Sequence, residues 1–211
     1  MMRYFIGISY NGKNYHGWQI QKNAVTVQST IQDVISKILG NTTDIVGSGR
    51  TDTGVHAKSQ VAHFDVNKEV DNDFIYRVNA FLPQDISINS VSQVIDNSHA
   101  RFDAISREYI YKIHDLKSPF LDGLSTFYNK KINIDLINEA CSIIIKNSDF
   151  QSFSKVKTEV KNFNCTITHA SIRRKNNFYL FKFCANRFLR GMVRALVGTL
   201  LQLNDGKINL K

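Results

Sequence analysis

Hydrophobic residues in this chain recur with two alternating periods, and the order of those periods runs through the sequence almost twice. Residues 3–10 are dense in β-branched and aromatic side chains and predict a strand ended by Asn11-Gly12. Val27, Ile31, Val34, Ile35 and Ile38 then fall at helical spacing between Thr26, an N-cap, and Gly40, a stop. Residues 44–46 and 60–65 predict strands on either side of a polar, glycine-rich loop. A second helix is expected over 71–82, closed by Pro83, with Phe74, Val78 and Phe81 inward, and residues 86–95 predict a strand. The second half repeats the order: a strand at 107–115, a helix face of Leu136, Ile137, Ala140, Cys141 and Ile144, a hairpin of 165–173 and 178–185 turning at Lys175-Asn176-Asn177, and an amphipathic helix over 189–200.

The first half therefore reads β-α-β-β-α-β and the second β-α-β-β-α, before the sequence stops at Lys211. The fold class expected from this order is α/β (α+β). Two RRM-like, ferredoxin-like split-βαβ halves, 1–105 and 106–211, share a central, mostly antiparallel sheet with helices packed on it, and the last strand is missing.

Composition narrows the function classes. The 211 residues are 43% hydrophobic and 21% charged, enough apolar surface for a globular core. No apolar run reaches the roughly 18 residues of a membrane span, and residues 1–10 lack a secretory pattern. Cys141, Cys165 and Cys184 are odd in number and scattered, as core thiols of a reducing, cytoplasmic compartment are. The six histidines lack metal-ligand spacing, so no metal is expected. The formal charge of +9 suits a polyanionic partner. Arg101, Arg107, Lys155, Lys157, Arg173, Arg174, Lys175, Arg187, Arg190 and Arg194 spread that charge over a folded surface rather than a tail.

One loop stands apart. Gly47-Ser48-Gly49-Arg50-Thr51-Asp52-Thr53-Gly54-Val55-His56-Ala57 sets three glycines, an arginine, an aspartate and a histidine between two apolar strands. On local features it could be a tight turn in which Asp52 caps backbone amides. A phosphate loop is disfavoured, because GxxxxGK[ST] and a directly following helix are both absent.

As a whole string, this loop resembles the GRTDxGVHA signature of the TruA family of tRNA pseudouridine synthases. Tyr10-Asn11-Gly12, Gly17-Trp18-Gln19-Ile20-Gln21 and Thr26-Val27-Gln28 resemble the family's N-terminal segment. Asn79-Ala80-Phe81-Leu82-Pro83, His99-Ala100-Arg101-Phe102, Arg107-Glu108-Tyr109-Ile110-Tyr111, Asp149-Phe150-Gln151-Ser152-Phe153 and Asn186-Arg187-Phe188-Leu189-Arg190-Gly191-Met192-Val193-Arg194 follow in the family's order. Thr53 departs from the alanine common there, and family members continue into a closing strand beyond the last helix.

The resemblance implies a cofactor-free isomerase that converts uridine to pseudouridine in the anticodon stem-loop of tRNA, at positions 38 to 40, as a homodimer. A non-catalytic RNA-binding module on the same scaffold is the rival, and a relative with other target uridines is another. By resemblance Asp52 is the catalytic carboxylate, either nucleophile or base. Arg50 helps hold the target nucleotide out of the helix, unless it makes an ordinary phosphate contact, and Tyr109 stacks on the uracil and serves proton transfer. Arg194 pairs with Asp52, unless it snorkels to the surface. Val55, Val61 and Phe64 wall the pocket or pack the core, while Tyr111 is core. His56 fixes the loop or moves a proton. His99, Arg101, Lys155, Lys157 and Lys161 are candidates for RNA contact.

Overall fold

The structure is a computed structural model that describes residues 1–155 and 162–210. The chain divides into two compact units, Met1–Ala104 and Ile105–Lys211. In the first unit, β1 (Met2–Tyr10), β2 (Val46–Gly47), β3 (Ala57–Val66) and β4 (Ile86–Val94) form a four-stranded sheet in the order β2-β3-β1-β4. All its neighbours are antiparallel. Alternation puts Tyr4, Ile6, Ile8 and Tyr10 of β1 and Ala62, Phe64 and Val66 of β3 on one buried face. Tyr4 lies opposite Phe64 and Ile6 opposite Ala62, which fixes the register.

Two helices bury that face. α1 (Val27–Leu39) contributes Val27, Ile31 and Ile35 to the cluster, and α2 (Phe74–Phe81) contributes Phe74 and Val78. Burying each such side chain stabilises by about 1.5–3 kcal/mol. α1 opens on a capping box, in which the Thr26 hydroxyl accepts from the Ser29 N–H and the Ser29 side chain accepts from the Thr26 N–H. It closes on Gly40 in the left-handed region at φ 71°.

The second unit holds β5 (Arg107–His114), β6 (Thr126–Phe127), β7 (Ile167–Lys175) and β8 (Phe178–Ala185) in the order β6-β5-β8-β7. β8 runs antiparallel to both β5 and β7. Asn176 makes the hairpin turn at φ 53°, a conformation asparagine tolerates better than most residues. α3 (Ile134–Ile145) and α4 (Met192–Asn204) pack Ile137, Cys141, Met192, Leu196 and Leu200 against Phe181, Phe183 and Ile113. Burial pushes the Cys141 thiol up to about 11, as expected of a core thiol.

The α/β class is as anticipated, and four details differ. The strands are hydrogen-bonded as two four-stranded sheets, where one shared sheet was expected. Each sheet has its own helices and its own hydrophobic cluster. β6 was not foreseen. It is two residues long and pairs in parallel with the end of β5 only, at Ile113 and His114, in the neighbour position that β4 fills antiparallel along most of β1. Phe81 was assigned to the core but is 71% exposed, because α2 ends there and the extended Leu82 fills the core instead. The last helix begins at Met192, after a left-handed Gly191, so Leu189 is buried from the segment that precedes it. No helix among the described residues is long and apolar enough to cross a membrane.

Candidate functional site

The 48–56 loop leaves β2 and returns into β3, and its course is dictated by what lies under it. Trp18, 1% exposed, packs its indole against Gly47, where an added Cβ would stand 2.6 Å from the ring. The Trp18 backbone N–H donates to the Thr51 carbonyl at 3.1 Å. Gly17, at φ 85°, has no Cβ to collide with the Thr51 carbonyl oxygen, and Gly12 likewise gives way to the Val55 carbonyl. The same segment serves α1, since the carbonyls of Gly17 and Trp18 accept from the N–H groups of Val27 and Gln28. Groups that a helix start leaves without an intrahelical partner are thus satisfied by the strip that supports the loop.

Asp52 sits at a tight bend. Its carbonyl accepts from the Val55 N–H at 3.1 Å, and Gly54 holds φ 77° two residues on, a geometry that favours glycine. The Gly54 N–H donates to the Tyr15 carbonyl at 3.3 Å, and the Tyr15 hydroxyl donates to Asp85 at 2.7 Å. Asp52 and Val55 are half-buried and Arg50 is exposed. His56 accepts the Gly12 N–H on Nδ1 at 2.9 Å, so one ring nitrogen fixes the loop to the end of β1.

The loop's flank is held by a buried polar chain that the sequence reading passed over. Gln60 and Tyr10 are 8% and 4% exposed. Gln60 Nε2 donates to the Gly49 carbonyl at 3.0 Å, the Tyr10 hydroxyl donates to Gln60 Oε1 at 3.1 Å, and the Tyr10 and Thr51 hydroxyls are 2.8 Å apart. The signal was available. Gln60 stands at the inward parity of β3 with Ala62, Phe64 and Val66, where an uncompensated amide is costly.

Phe64 is core rather than pocket wall. It is 1% exposed, and stacking contacts with Tyr4 and Phe74 at centroid distances of 5.9 and 5.8 Å fix its ring inside the cluster. Val61 alternates to the other face of β3 and is half-buried. His99 builds its own turn: its Nδ1 faces the Arg101 and Phe102 N–H groups at 3.2 and 3.4 Å, and its backbone N–H donates to Asp103 at 2.7 Å. The turn docks through Ala100, whose N–H donates to Nδ1 of the buried His63 at 3.2 Å. Burial, with Arg3 and His99 nearby, holds the His63 imidazole below its ordinary pKa. Arg3 fastens the same corner, forking onto Asp65 with two 2.7 Å bonds and reaching the Ser98 carbonyl at 2.8 Å. That Asp65 carboxyl is pulled below the usual carboxylate range by its hydrogen bond to Arg3. Arg101 is exposed, with its guanidinium 5.8 Å from the Phe102 ring centroid.

In the second unit, Tyr109 is half-buried on β5, with its ring edge-on to Phe188 at 5.0 Å. Tyr111, two residues on, packs against the core cluster, and its hydroxyl lies 2.8 Å from that of Thr126. Arg194 is exposed on α4, on the side opposite the buried Met192, Leu196 and Leu200. The exposed Lys155 is tied by its N–H to the Arg190 carbonyl at 3.0 Å, just before that helix. Lys157 and Lys161 lie outside the described residues.

Comparison with known proteins adds the family context. A family model described as tRNA pseudouridine synthase matches residues 6–103 and 147–211. The tRNA pseudouridine synthase A of Parabacteroides distasonis is 42% identical over 213 residues, an alignment that spans all of this chain and 84% of that protein. Its counterpart of the same name in Porphyromonas gingivalis is 43% identical over 215 residues, spanning 100% and 85% of the two chains. That of Buchnera aphidicola is 37% identical over 206 residues, spanning 96% and 78%.

Proposed function

The chain belongs to the tRNA pseudouridine synthase family, and from that membership we propose that Asp52 is the carboxylate with which it isomerises uridine to pseudouridine in the anticodon stem-loop of tRNA, at positions 38 to 40. The observation that carries the assignment is the Asp52 bend. The loop backbone that bears this carboxylate is held from below by Gly17, Trp18 and Tyr15 and turned by the left-handed Gly54. A loop restrained at this many points by buried neighbours can hold a reactive group in one orientation, as a nucleophile or a base requires.

The reaction breaks the bond from uracil N1 to ribose C1′, turns the base, and joins C5 to C1′. The proton on C5 must leave and N1 must gain one, with no net change of oxidation state. The residues therefore supply a carboxylate at the ribose and base, a proton acceptor, and a surface that holds the detached uracil. We assign the carboxylate to Asp52, the hold on the displaced nucleotide to Arg50, and stacking with proton transfer to Tyr109. Arg194 is assigned as the positive partner of the carboxylate. Val55 borders the uracil, while His99, Arg101, Lys155 and Lys157 contact the RNA backbone. The enzyme acts as a homodimer in the cytoplasm.

Replacing Asp52 with Asn tests the reading. Tritium release from C5-labelled tRNA should cease while filter binding shows tRNA affinity within a few-fold, because one carboxylate among many phosphate contacts adds chemistry and little affinity. Turnover by Asp52→Asn would refute it.

A further inference from the structure

We infer that Tyr10 and Gln60 are positioning residues of the reaction, joined in a one-way hydrogen-bond chain that clamps Arg50 between its two neighbours. The inference rests on the assignment of Asp52 and Arg50 to the chemistry. A backbone carbonyl can only accept, so Gln60 must present its NH2 group to the Gly49 oxygen. Its amide oxygen then faces Tyr10, whose single hydroxyl proton must go to it. The Tyr10 oxygen is left to accept, and the Thr51 hydroxyl, 2.8 Å away, must donate. One carbonyl thus sets the direction of the whole chain, from Thr51 through Tyr10 and Gln60 to Gly49.

The two ends of the chain are the residues on either side of Arg50. Gln60 comes from the inward face of β3 and Tyr10 from the inward face of β1, so both are anchored in the sheet that carries the core. The Thr51 carbonyl is held separately by the Trp18 N–H, which leaves the Arg50 peptide little freedom on either side. The chain's hydrogen bonds end on the Gly49 carbonyl and the Thr51 hydroxyl, on either side of Arg50. It acts through the backbone, so its loss should misplace the site without removing a charge or a phosphate contact.

Tyr10→Phe and Gln60→Met keep the shape of their side chains and delete the chain. Each should lower kcat on the order of 10- to 100-fold, the penalty of a small misplacement of reacting groups. The Kd for tRNA should stay within a few-fold. The double variant should be little worse than either single one, since either cut opens the same chain. Because both residues are buried, the half-buried end supplies a second pair: Thr51→Val should lose turnover, and Thr51→Ser, which keeps the donor, should recover most of it. Asp52→Asn is run alongside. If it turns over, the assignment of the carboxylate fails. If it is inactive while folded Tyr10→Phe and Gln60→Met keep the parent kcat, or Thr51→Val equals Thr51→Ser, the positioning chain is wrong and the assignment of Asp52 stands. A loss of tRNA affinity equal to the loss of kcat would also overturn it.

Discussion

At Gly17 the backbone is left-handed, and the Thr51 carbonyl oxygen occupies the space a Cβ would need. Alanine there meets both penalties, and the colliding atom belongs to the backbone, which cannot swing aside. Gly17→Ala should therefore destabilise the first unit by about 1–3 kcal/mol and depress turnover further by moving the Asp52 bend. Urea unfolding and tritium release read the two effects separately. At Tyr109 the ring and the hydroxyl can be separated. Tyr109→Phe should keep tRNA affinity and lose turnover, whereas Tyr109→Leu should lose both, base stacking being worth roughly 1–3 kcal/mol. A fully active Phe variant would leave only the stacking role. His63 gives a pH dependence. Its folded pKa lies below the ordinary 6.5, so between the two values the unfolded chain binds more protons than the folded one. Its contribution is therefore complete above 6.5 and is lost as the pH falls from there through the lower folded pKa. Protonation of Nδ1 would also cancel the bond from Ala100. Unfolding curves across this range should show the parent losing stability faster than His63→Gln; parallel curves would exclude the histidine. The loop bearing Asp52 and Arg50 stood out in the chain because its glycines and charges are out of place between apolar strands, and the structure places it as a turn between β2 and β3. The inward parity of Gln60 could be read there too, but its partners could not, since they depend on the register of β1 against β3 and on the path of the loop. Phe81 was misread because helical phase does not reveal that the following residue takes over the core position.

α1 shows how much an element's ends disclose. Thr26 and Gly40 were both recognised as its limits, and the helix runs between them from Val27 to Leu39. Cap and stop are local chemistry and need no tertiary information. β6 shows the opposite case: two residues carry no period, and its place beside β5 follows from the loop that delivers it. The N-terminus of α1 also has work outside the helix, because it draws the 17–18 carbonyls that lie beneath the loop. Thr26→Ala should cost about 1 kcal/mol, as cap removal generally does. It should in addition quicken amide exchange at Trp18, whose N–H reaches across to Thr51. If hydrogen exchange at Trp18 is unchanged while that of the first helical turn rises, the cap and the loop are uncoupled.

For the whole molecule, a formal charge of +9 implies that tRNA affinity falls steeply with salt, since each neutralised phosphate releases counterions. Filter binding over a salt series should give a strongly negative slope of log affinity against log salt, and a flat series would contradict a broad basic surface. The doubled order of elements made the α/β class readable in advance, and the family motifs made the chemistry readable. The division of hydrogen bonding into two sheets was not readable, because period and spacing identify strands without naming their neighbours.

Trp18 is the only tryptophan in the chain. Its ring is buried against Gly47 at the root of the loop, its backbone N–H is bonded to the Thr51 carbonyl, and the Tyr10 ring centroid lies 6.1 Å away. The protein therefore carries an intrinsic fluorophore at the place where its chemistry is assigned. Excited at the red edge, where tyrosine is silent, its emission comes from one indole shielded from water at the loop's seat. A local opening would shift that emission to the red before far-ultraviolet circular dichroism changes, while global unfolding would move both signals together. Fluorescence during tRNA mixing would then time any movement of the loop against the release of tritium, with no label added to the protein.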